Sequence, residues 1–423
     1  MQDGAVAVRR GRIAQVGPAA DVVAGHRDLP VEDLGARIVA PGLVDAHCHL
    51  EWSLLDGVLA PDHFAPWLGR MLAFRLRMEP SDHRTAARLG VLRALTAGTT
   101  TLADSGPTGA GAAALAESGL RGVVHLEVFG REEGEEARAL AEAFEARLPG
   151  LDEAVGPRGR VGVSPHAPYT VGPALWAALR ARPALAARPW ATHIAESEAE
   201  EEAVATGTGG LADMFAGAGL VPGRWEGPPG SGVVPRMAGG GALAAGVVAA
   251  HCVRLGPGDA AVLAAAGVGV AHCPRSNAHL LCGRAPLEQL EAAGAALGLG
   301  TDSPASGGDY DLRAEARACR DLHAGIRDLG AAELLRLITA GAAAALGMHD
   351  EVGALTAGLR ADLVALDAPP RPGAGPEERA LDAASTVDLV IVDGELLLSE
   401  RRPVRLDGGA IHQAAAEART RLC

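Results

Sequence analysis

The chemistry open to this chain is concentrated in histidines and acids that follow short apolar runs. Ile38–Val44 leads into His47-Cys48-His49, and on a β-strand the i, i+2 spacing turns both imidazoles to the same side. Taken alone, such a pair also serves as ordinary polar packing, so its meaning depends on whether other runs supply partners. Ala191-Thr192-His193-Ile194-Ala195-Glu196, Ala249-Ala250-His251, Ala271-His272 and Gly300-Thr301-Asp302-Ser303 each close a strand-like run with a histidine or an acid. Neutral imidazoles and a carboxylate form a nitrogen–oxygen set suited to one divalent metal, Zn²⁺ first and Fe²⁺ as the alternative. A water completing that shell has a lowered pKa and is a nucleophile near neutral pH.

Those residues need a scaffold that brings distant strand ends together. After the opening run, the pattern predicts a helix over Ser81–Ala97 with Ser81 as its N-cap, then strands at Thr99–Asp104, Gly122–Val128, Arg160–Ser164 and Trp190–Glu196. Further strands are expected at Gly246–Cys252, Val268–Cys273 and Ala296–Thr301, with helix-like segments between them and two more helices at Leu312–Leu329 and Ala331–Leu346. Such alternation over eight strands is the pattern of a (β/α)₈ TIM-type barrel, whose catalytic groups sit at the carboxyl ends of the strands. The two chain ends read differently. Gly4–Val16 alternates around an Arg-rich turn, while Ala361–Asp367 and Val387–Leu398 read as strands with a turn at Asp393-Gly394. Residues 1–38 and 353–423 are therefore expected to form one small β-sandwich domain, with residues 39–352 as the barrel. Residues 368–382, rich in Pro, Gly and Ala, read as a surface loop within it.

Bulk properties narrow the function. With 52 acidic against 38 basic residues and a formal net charge of −14, a polyanion such as nucleic acid is not the principal partner, although a nucleoside is permitted. No run approaches the roughly 18 apolar residues of a membrane span, and the N-terminus lacks a signal-peptide pattern, so no membrane is expected and a cytoplasmic location is. The six cysteines contain no Cys-x-x-Cys pair and read as reduced thiols; Cys48, Cys252 and Cys273 should point away from their neighbouring histidines into packing. The chain contains no lysine, which removes Schiff-base chemistry, P-loop phosphate binding and a carboxylated lysine bridging two metals.

Pro41-Gly42-Leu43-Val44-Asp45-Ala46-His47-Cys48-His49, His193-x-x-Glu196, Ala249-Ala250-His251-Cys252 and Gly298-Leu299-Gly300-Thr301-Asp302-Ser303 together resemble the amidohydrolase superfamily, in its mononuclear adenosine/cytosine-deaminase-like branch. The likeness spans nearly the whole chain. It implies that His47, His49, His193 and Asp302 ligate the metal. Glu196 would carry a proton to a ring nitrogen of the substrate, His251 would hydrogen-bond the metal-bound water, and Asp302 would take that water's proton. Two other roles stay open at this point: Glu196 also suits the acidic first turn of a helix over Glu196–Ala205, and His251 a position behind the ligands. The implied enzyme is a hydrolase of carbon–nitrogen bonds other than peptide bonds, a cyclic amidine deaminase releasing ammonia.

His49-Leu50-Glu51-Trp52-Ser53 and His272-Cys273-Pro274-Arg275-Ser276-Asn277 resemble the patterns of aminodeoxyfutalosine deaminases, which act on an adenine nucleoside in menaquinone biosynthesis. The alternatives within the class are deaminases of adenosine, S-adenosylhomocysteine or methylthioadenosine, and triazine or cyclic-amide hydrolases; a non-catalytic metal-binding scaffold is the reading from outside it. Glu51, His166 and Arg275 are the candidate substrate contacts, and a homodimer is open. Phe64 and Trp67 could stack on a base or belong to the core. Gly227–Gly241 reads either as a lid with glycine hinges or as a tolerated insertion. Relatives usually carry a strand ahead of the first hairpin, so either a longer start or an incomplete sandwich is expected here.

Overall fold

The computed structural model describes residues 1–217 and 223–422. A hairpin, β1 (Gly4–Arg9) and β2 (Arg12–Pro18), is followed by β3 (Ile38–Pro41). Eight parallel strands come next: β4 (Leu43–Cys48), β5 (Thr99–Gly106), β6 (Arg121–Val128), β7 (Gly159–Pro165), β8 (Trp190–Ile194), β9 (Val247–His251), β10 (Gly269–His272) and β11 (Leu297–Leu299). They neighbour one another in chain order, with helices on the outside. Then β12 (Leu363–Asp367), β13 (Thr386–Val392), β14 (Glu395–Ser399) and β15 (Arg402–Pro403) join β3 in a five-stranded antiparallel sheet ordered β15-β14-β13-β12-β3. The architecture is a (β/α)₈ barrel carrying a small β-sandwich made from both chain ends.

The opening apolar run serves both sheets. Ile38–Pro41 pairs antiparallel with β12, and Leu43 onward pairs parallel with β5. Gly42 makes the change possible, because a Cβ there would fall 2.1 Å from Thr100 Oγ1. Strands buried on both faces read as continuous apolar runs, and every residue of β4, β5 and β6 is buried.

The barrel closes where its last strand meets its first. Asp302 N donates to His47 O at 3.0 Å, His49 N donates to Asp302 O at 2.9 Å, and Cys48 and Asp302 form a parallel bridge. One layer below, Asp45 accepts from Thr301 N at 3.0 Å and from Thr301 Oγ1 at 2.6 Å. Gly300 lies so close to the first strand that a Cβ would sit 2.6 Å from His47 O.

The sandwich is tied to the barrel by charge. Arg121, at the start of β6, pairs with Asp362 at 2.9 Å and with Asp393 at 2.7 Å, and Arg158 reaches Asp393 at 3.0 Å. Asp393 and Gly394 both take positive φ (53° and 76°), the geometry of a type I′ hairpin turn. The C-terminal helix Gly408–Leu422 packs on the barrel helix Pro80–Thr96, with Arg421 bonded to Asp82.

Several local expectations are corrected. The helix expected to be capped by Ser81 begins at Pro80, and Glu79 caps it through a reciprocal box with Asp82, because proline favours the first helical position. The expected loop 368–382 contains a helix, Pro376–Leu381. The helix expected over Leu312–Leu329 ends at His323, and that over Ala331–Leu346 is broken into Ala331–Leu337 and Ala340–Ala345. Alanine-rich composition obscured both ends. Among the described residues no helix is long and apolar enough to cross a membrane.

Gly300→Ala should push the last strand off the first. Overpacking of this kind costs about 1–3 kcal/mol, read as a lower Tm, and the same displacement should lower metal content measured on the purified protein.

Candidate metal centre and active site

The strand ends bring the predicted histidines together. His47, His49 and His193 each offer a ligand atom within 4.8 Å of the others, and His47, His251 and Asp302 form a second such group. His49 Nε2 faces His193 Nε2 at 3.1 Å, and Asp302 Oδ1 lies 3.4 Å from His49 Nε2 and 3.8 Å from His47 Nε2. Among the described residues His47 Nε2 is buried without a hydrogen-bond partner, and a buried polar atom of that kind calls for a ligand. A divalent cation fits this set. It would be held by His47, His49, His193 and Asp302, as nitrogen and oxygen donors of the right type.

Three of the four candidate ligands, His49, His193 and Asp302, are oriented from behind. His49 Nδ1 donates to Ser105 O at 2.7 Å and His193 Nδ1 to His166 O at 2.6 Å, which leaves both Nε2 lone pairs free for the cation. Asp302 Oδ2 accepts from Ser276 Oγ and from Ser306 Oγ at 2.8 Å. Burial, reinforced by neighbouring imidazoles, holds His47 well below its ordinary pKa and His193 down to about 3; burial brings His251 to about 4. Neutral rings are the state a metal requires. Burial raises the Asp302 carboxyl, but His49, His251 and the two serines outweigh it and hold it below the usual range.

The backbone is strained at the same level. Ala195, His251, Cys252 and Asp302 adopt positive φ of 54°, 73°, 48° and 54°, conformations that cost non-glycine residues about 1–3 kcal/mol each and gather at functional sites. Cys48, Cys252 and Cys273 are fully buried free thiols in packing.

Glu196, three residues beyond His193, is buried on the pocket wall with Oε1 3.6 Å from His251 Nε2. The Asn277 amide donates to His251 Nδ1 at 3.1 Å, so the imidazole proton sits on Nε2, facing Glu196. Burial, with the charges of Asp302 and Glu200, pushes the Glu196 carboxyl well above its ordinary value. The helix begins only at Glu198, capped by Ser197. Glu196 therefore stands ahead of the helix, and Glu200 fixes it by accepting from Ala195 N at 3.0 Å and Glu196 N at 2.6 Å. Glu200 did not figure among the expected site residues, although Ser197-x-x-Glu200 is a capping-box signature.

A cavity of about 360 Å³ opens above this floor. Its walls include Trp52, Phe64, Trp67, Phe129, Tyr169 and Phe215, so Phe64 and Trp67 are core residues that also face the cavity. His166 lines it too. Glu51 and Arg275 do not. Glu51 lies on the short 3₁₀ turn Leu50–Leu55, which tucks its carboxylate beneath the β5 loop. There it accepts from Thr108 N, Gly109 N and Ala110 N and pairs with His83 at 2.9 Å. Arg275 pairs with Asp309 at 2.6 Å outside the cavity. Gly227–Gly241 contributes no lining residue; it holds the helix Val233–Gly239, anchored by Arg236 on Trp225 O and Ser231 O. His272 lies outside the cavity near His323 and Cys319. Arg75, Glu127 and Arg131 line the cavity without belonging to any motif, and nothing in the sequence marked them.

A barrel whose strand ends gather three histidines and an aspartate into a donor set that fits one cation, with a buried carboxyl beside it, has the parts of a metal-dependent hydrolase. Residues 38–397 match the amidohydrolase family model. The chain is 34% identical to a 5-methylthioadenosine/S-adenosylhomocysteine deaminase of Pelotomaculum thermopropionicum, over 100% of this chain and 94% of the relative. It is 32% identical to the same-named protein of Moorella thermoacetica, over 97% and 93%. An adenosine deaminase structure from Xanthomonas campestris with bound zinc superposes at a TM-score of 0.83 and 27% identity, covering 100% of this chain and 94% of that one. The chain belongs to the amidohydrolase family.

Glu196→Gln should retain the metal, measured on the purified variant, while kcat falls by about 10²–10⁴, the usual contribution of a positioned acid. Removing the metal with a chelator should lower Tm, because His47, His49 and His193 lose the cation they surround; an unchanged Tm would mean that the cluster holds none.

Proposed function

We propose that the protein removes the exocyclic amine of an adenine-type nucleoside by hydrolysis, releasing ammonia. The observation that carries this is Glu196, a buried carboxyl beside the ligand set but not in it, at the floor of an aromatic-walled cavity. A bound metal, for which Zn²⁺ suits the donors best, supplies an activated water. Glu196 hands a proton to the ring nitrogen as charge builds there. His251, with its proton on Nε2, donates toward the reacting oxygen, and Asp302, steadied by Ser276 and Ser306, takes up the proton that oxygen loses and passes it to the departing amine, which leaves as ammonia. The relatives named as methylthioadenosine/S-adenosylhomocysteine deaminases support an amine on a purine nucleoside rather than a cyclic amide.

Arg75 and Arg131 support a substrate with an anionic tail. Both line the cavity, their guanidiniums stacked on Phe129 at 5.0 Å and Phe215 at 5.3 Å, and among the described residues neither forms an ion pair. Ring centroids step outward from His193 to His166 by 4.7 Å and from His166 to Phe129 by 4.9 Å. The arginines thus lie where the far end of a nucleoside would reach. Aminodeoxyfutalosine, with an aromatic carboxylate, suits the aromatic mouth, and the His-Leu-Glu-x-Ser and His-Cys-Pro-x-Ser-Asn motifs resemble those of the deaminases that act on it in menaquinone biosynthesis. S-Adenosylhomocysteine is the second reading, favoured by the named relatives. The buried free thiols suit a cytoplasmic enzyme.

Metal-loaded protein should release ammonia from aminodeoxyfutalosine or S-adenosylhomocysteine, and the ratio of their kcat/KM values decides between the two. Failure on every aminated ring, with one metal bound, would overturn the deaminase. Arg131→Ala should raise KM for either carboxylate-bearing nucleoside by about 10–100-fold, with a much smaller change for methylthioadenosine, since a charge-assisted bond is lost only in the first case.

A further inference from the structure

A second group of ligand-type side chains lies outside the cavity and takes no part in the chemistry above. His272 ends β10, and Cys319 and His323 stand on the helix Leu312–His323. Their i, i+4 spacing puts the last two on one face of that helix, one turn apart. One ring nitrogen of His272, one of His323 and Cys319 Sγ lie within 4.8 Å of one another, the same limit that His47, His49 and His193 meet. All three residues are fully buried.

Packing alone does not account for them. Among the described residues neither ring nitrogen of His272 has a hydrogen-bond partner, and nor does His323 Nε2. Buried polar atoms are normally paired, so two imidazoles left this way in one place point to a ligand that takes up their lone pairs. The rings do not stack on each other, with centroids 6.0 Å apart and planes at 83°. Burial brings His272 down to about 3, so its ring is neutral and keeps a free lone pair. Cys319 is a free thiol that burial, helped by Glu315 and Glu333, pushes up to about 12. A coordinated cation reverses that effect, because a thiol that ligates a metal gives up its proton. Four acids, Glu288, Glu291, Glu315 and Glu333, bear on Cys319 and His323 against two arginines, Arg284 and Arg327. Arg284 reaches His323 Nδ1 only at 3.4 Å and also pairs with Glu288, so it can leave the ring and keep a partner.

We propose that His272, Cys319 and His323 form a second metal site, separate from the catalytic one, which binds Zn²⁺ through one thiolate and two imidazoles. The thiol proton is released to solvent as the ion binds. A sulfur ligand makes this site softer than the nitrogen–oxygen set at the strand ends. The ion fastens the end of the helix to β10, just before the turn that carries Ser276 to Asp302.

Co²⁺ is the probe, because a thiolate bound to Co²⁺ gives a sulfur-to-metal charge-transfer band that a nitrogen–oxygen site cannot give. Full-length protein stripped with a chelator should take up about two Co²⁺ per chain, one at each set of ligands, and show that band. Cys319→Ala and His323→Gln should each lose the band and one equivalent while keeping the other. His193→Asn should lose the catalytic equivalent and keep the band. No band in wild type, at any metal content, would overturn the proposal without recourse to a variant. A band that survives Cys319→Ala would overturn it too. A single equivalent that carries the band and is indifferent to His193→Asn would support this site and count against the catalytic one.

Discussion

Everything at the site depends on how the barrel's last strand is fastened to its first. The bonds that close it run through the backbone of His47, His49 and Asp302, so the residues that complete the cylinder are the residues that would hold the cation. A gap at this seam opens the barrel and separates the ligands in one motion. That coupling explains the absence of a side chain at Gly300 and the hydrogen bonding of Asp45 to Thr301, a layer beneath. Precision at a metal site comes from rigid support, and here the support is the fold's own closure.

The second organising feature is a crowd of carboxyls under low dielectric. Asp45, Glu127 and Glu200 are each pushed up to about 7 by burial, and burial also holds Asp104 and Glu196 well above their ordinary values. The chain has no lysine to offset them, and Arg75 supplies positive charge beside Glu127. Asp302 escapes the crowd through its serines and histidines. The result is two acids close together in different states, one suited to ligation and one to proton delivery, which is how one site runs acid and base steps together.

Much of the barrel was legible in the sequence because strands buried on both faces leave uninterrupted apolar runs, and because the first, fifth, sixth, seventh and eighth runs closed on a histidine or an acid. That rule brought His47, His49, His193, His251, Asp302 and Glu196 together, but it offered His272 as well, which lies outside the cavity. What escaped was set by loop geometry. Glu51 follows the ligand pair so closely that sequence puts it in the pocket, but a single 3₁₀ turn sends it under the next loop. Arg75, Glu127 and Arg131 sit in the cavity because helices and strand ends far apart in the chain converge there, and no local pattern records such convergence. Glu200 was readable from its capping box, which holds the acid rather than merely starting a helix.

The pairing of the two chain ends has a consequence for synthesis. The β1–β2 hairpin is synthesised long before its sandwich partners, which come more than three hundred residues later: Arg12 bonds Gly358, 346 positions on. At translation speeds of about 5–20 residues per second, the hairpin waits some tens of seconds with its edges open. Arg9, Arg10 and Arg12 crowd its turn, and edge charges of that kind discourage pairing with a stranger. They guard a strand whose proper neighbour does not yet exist.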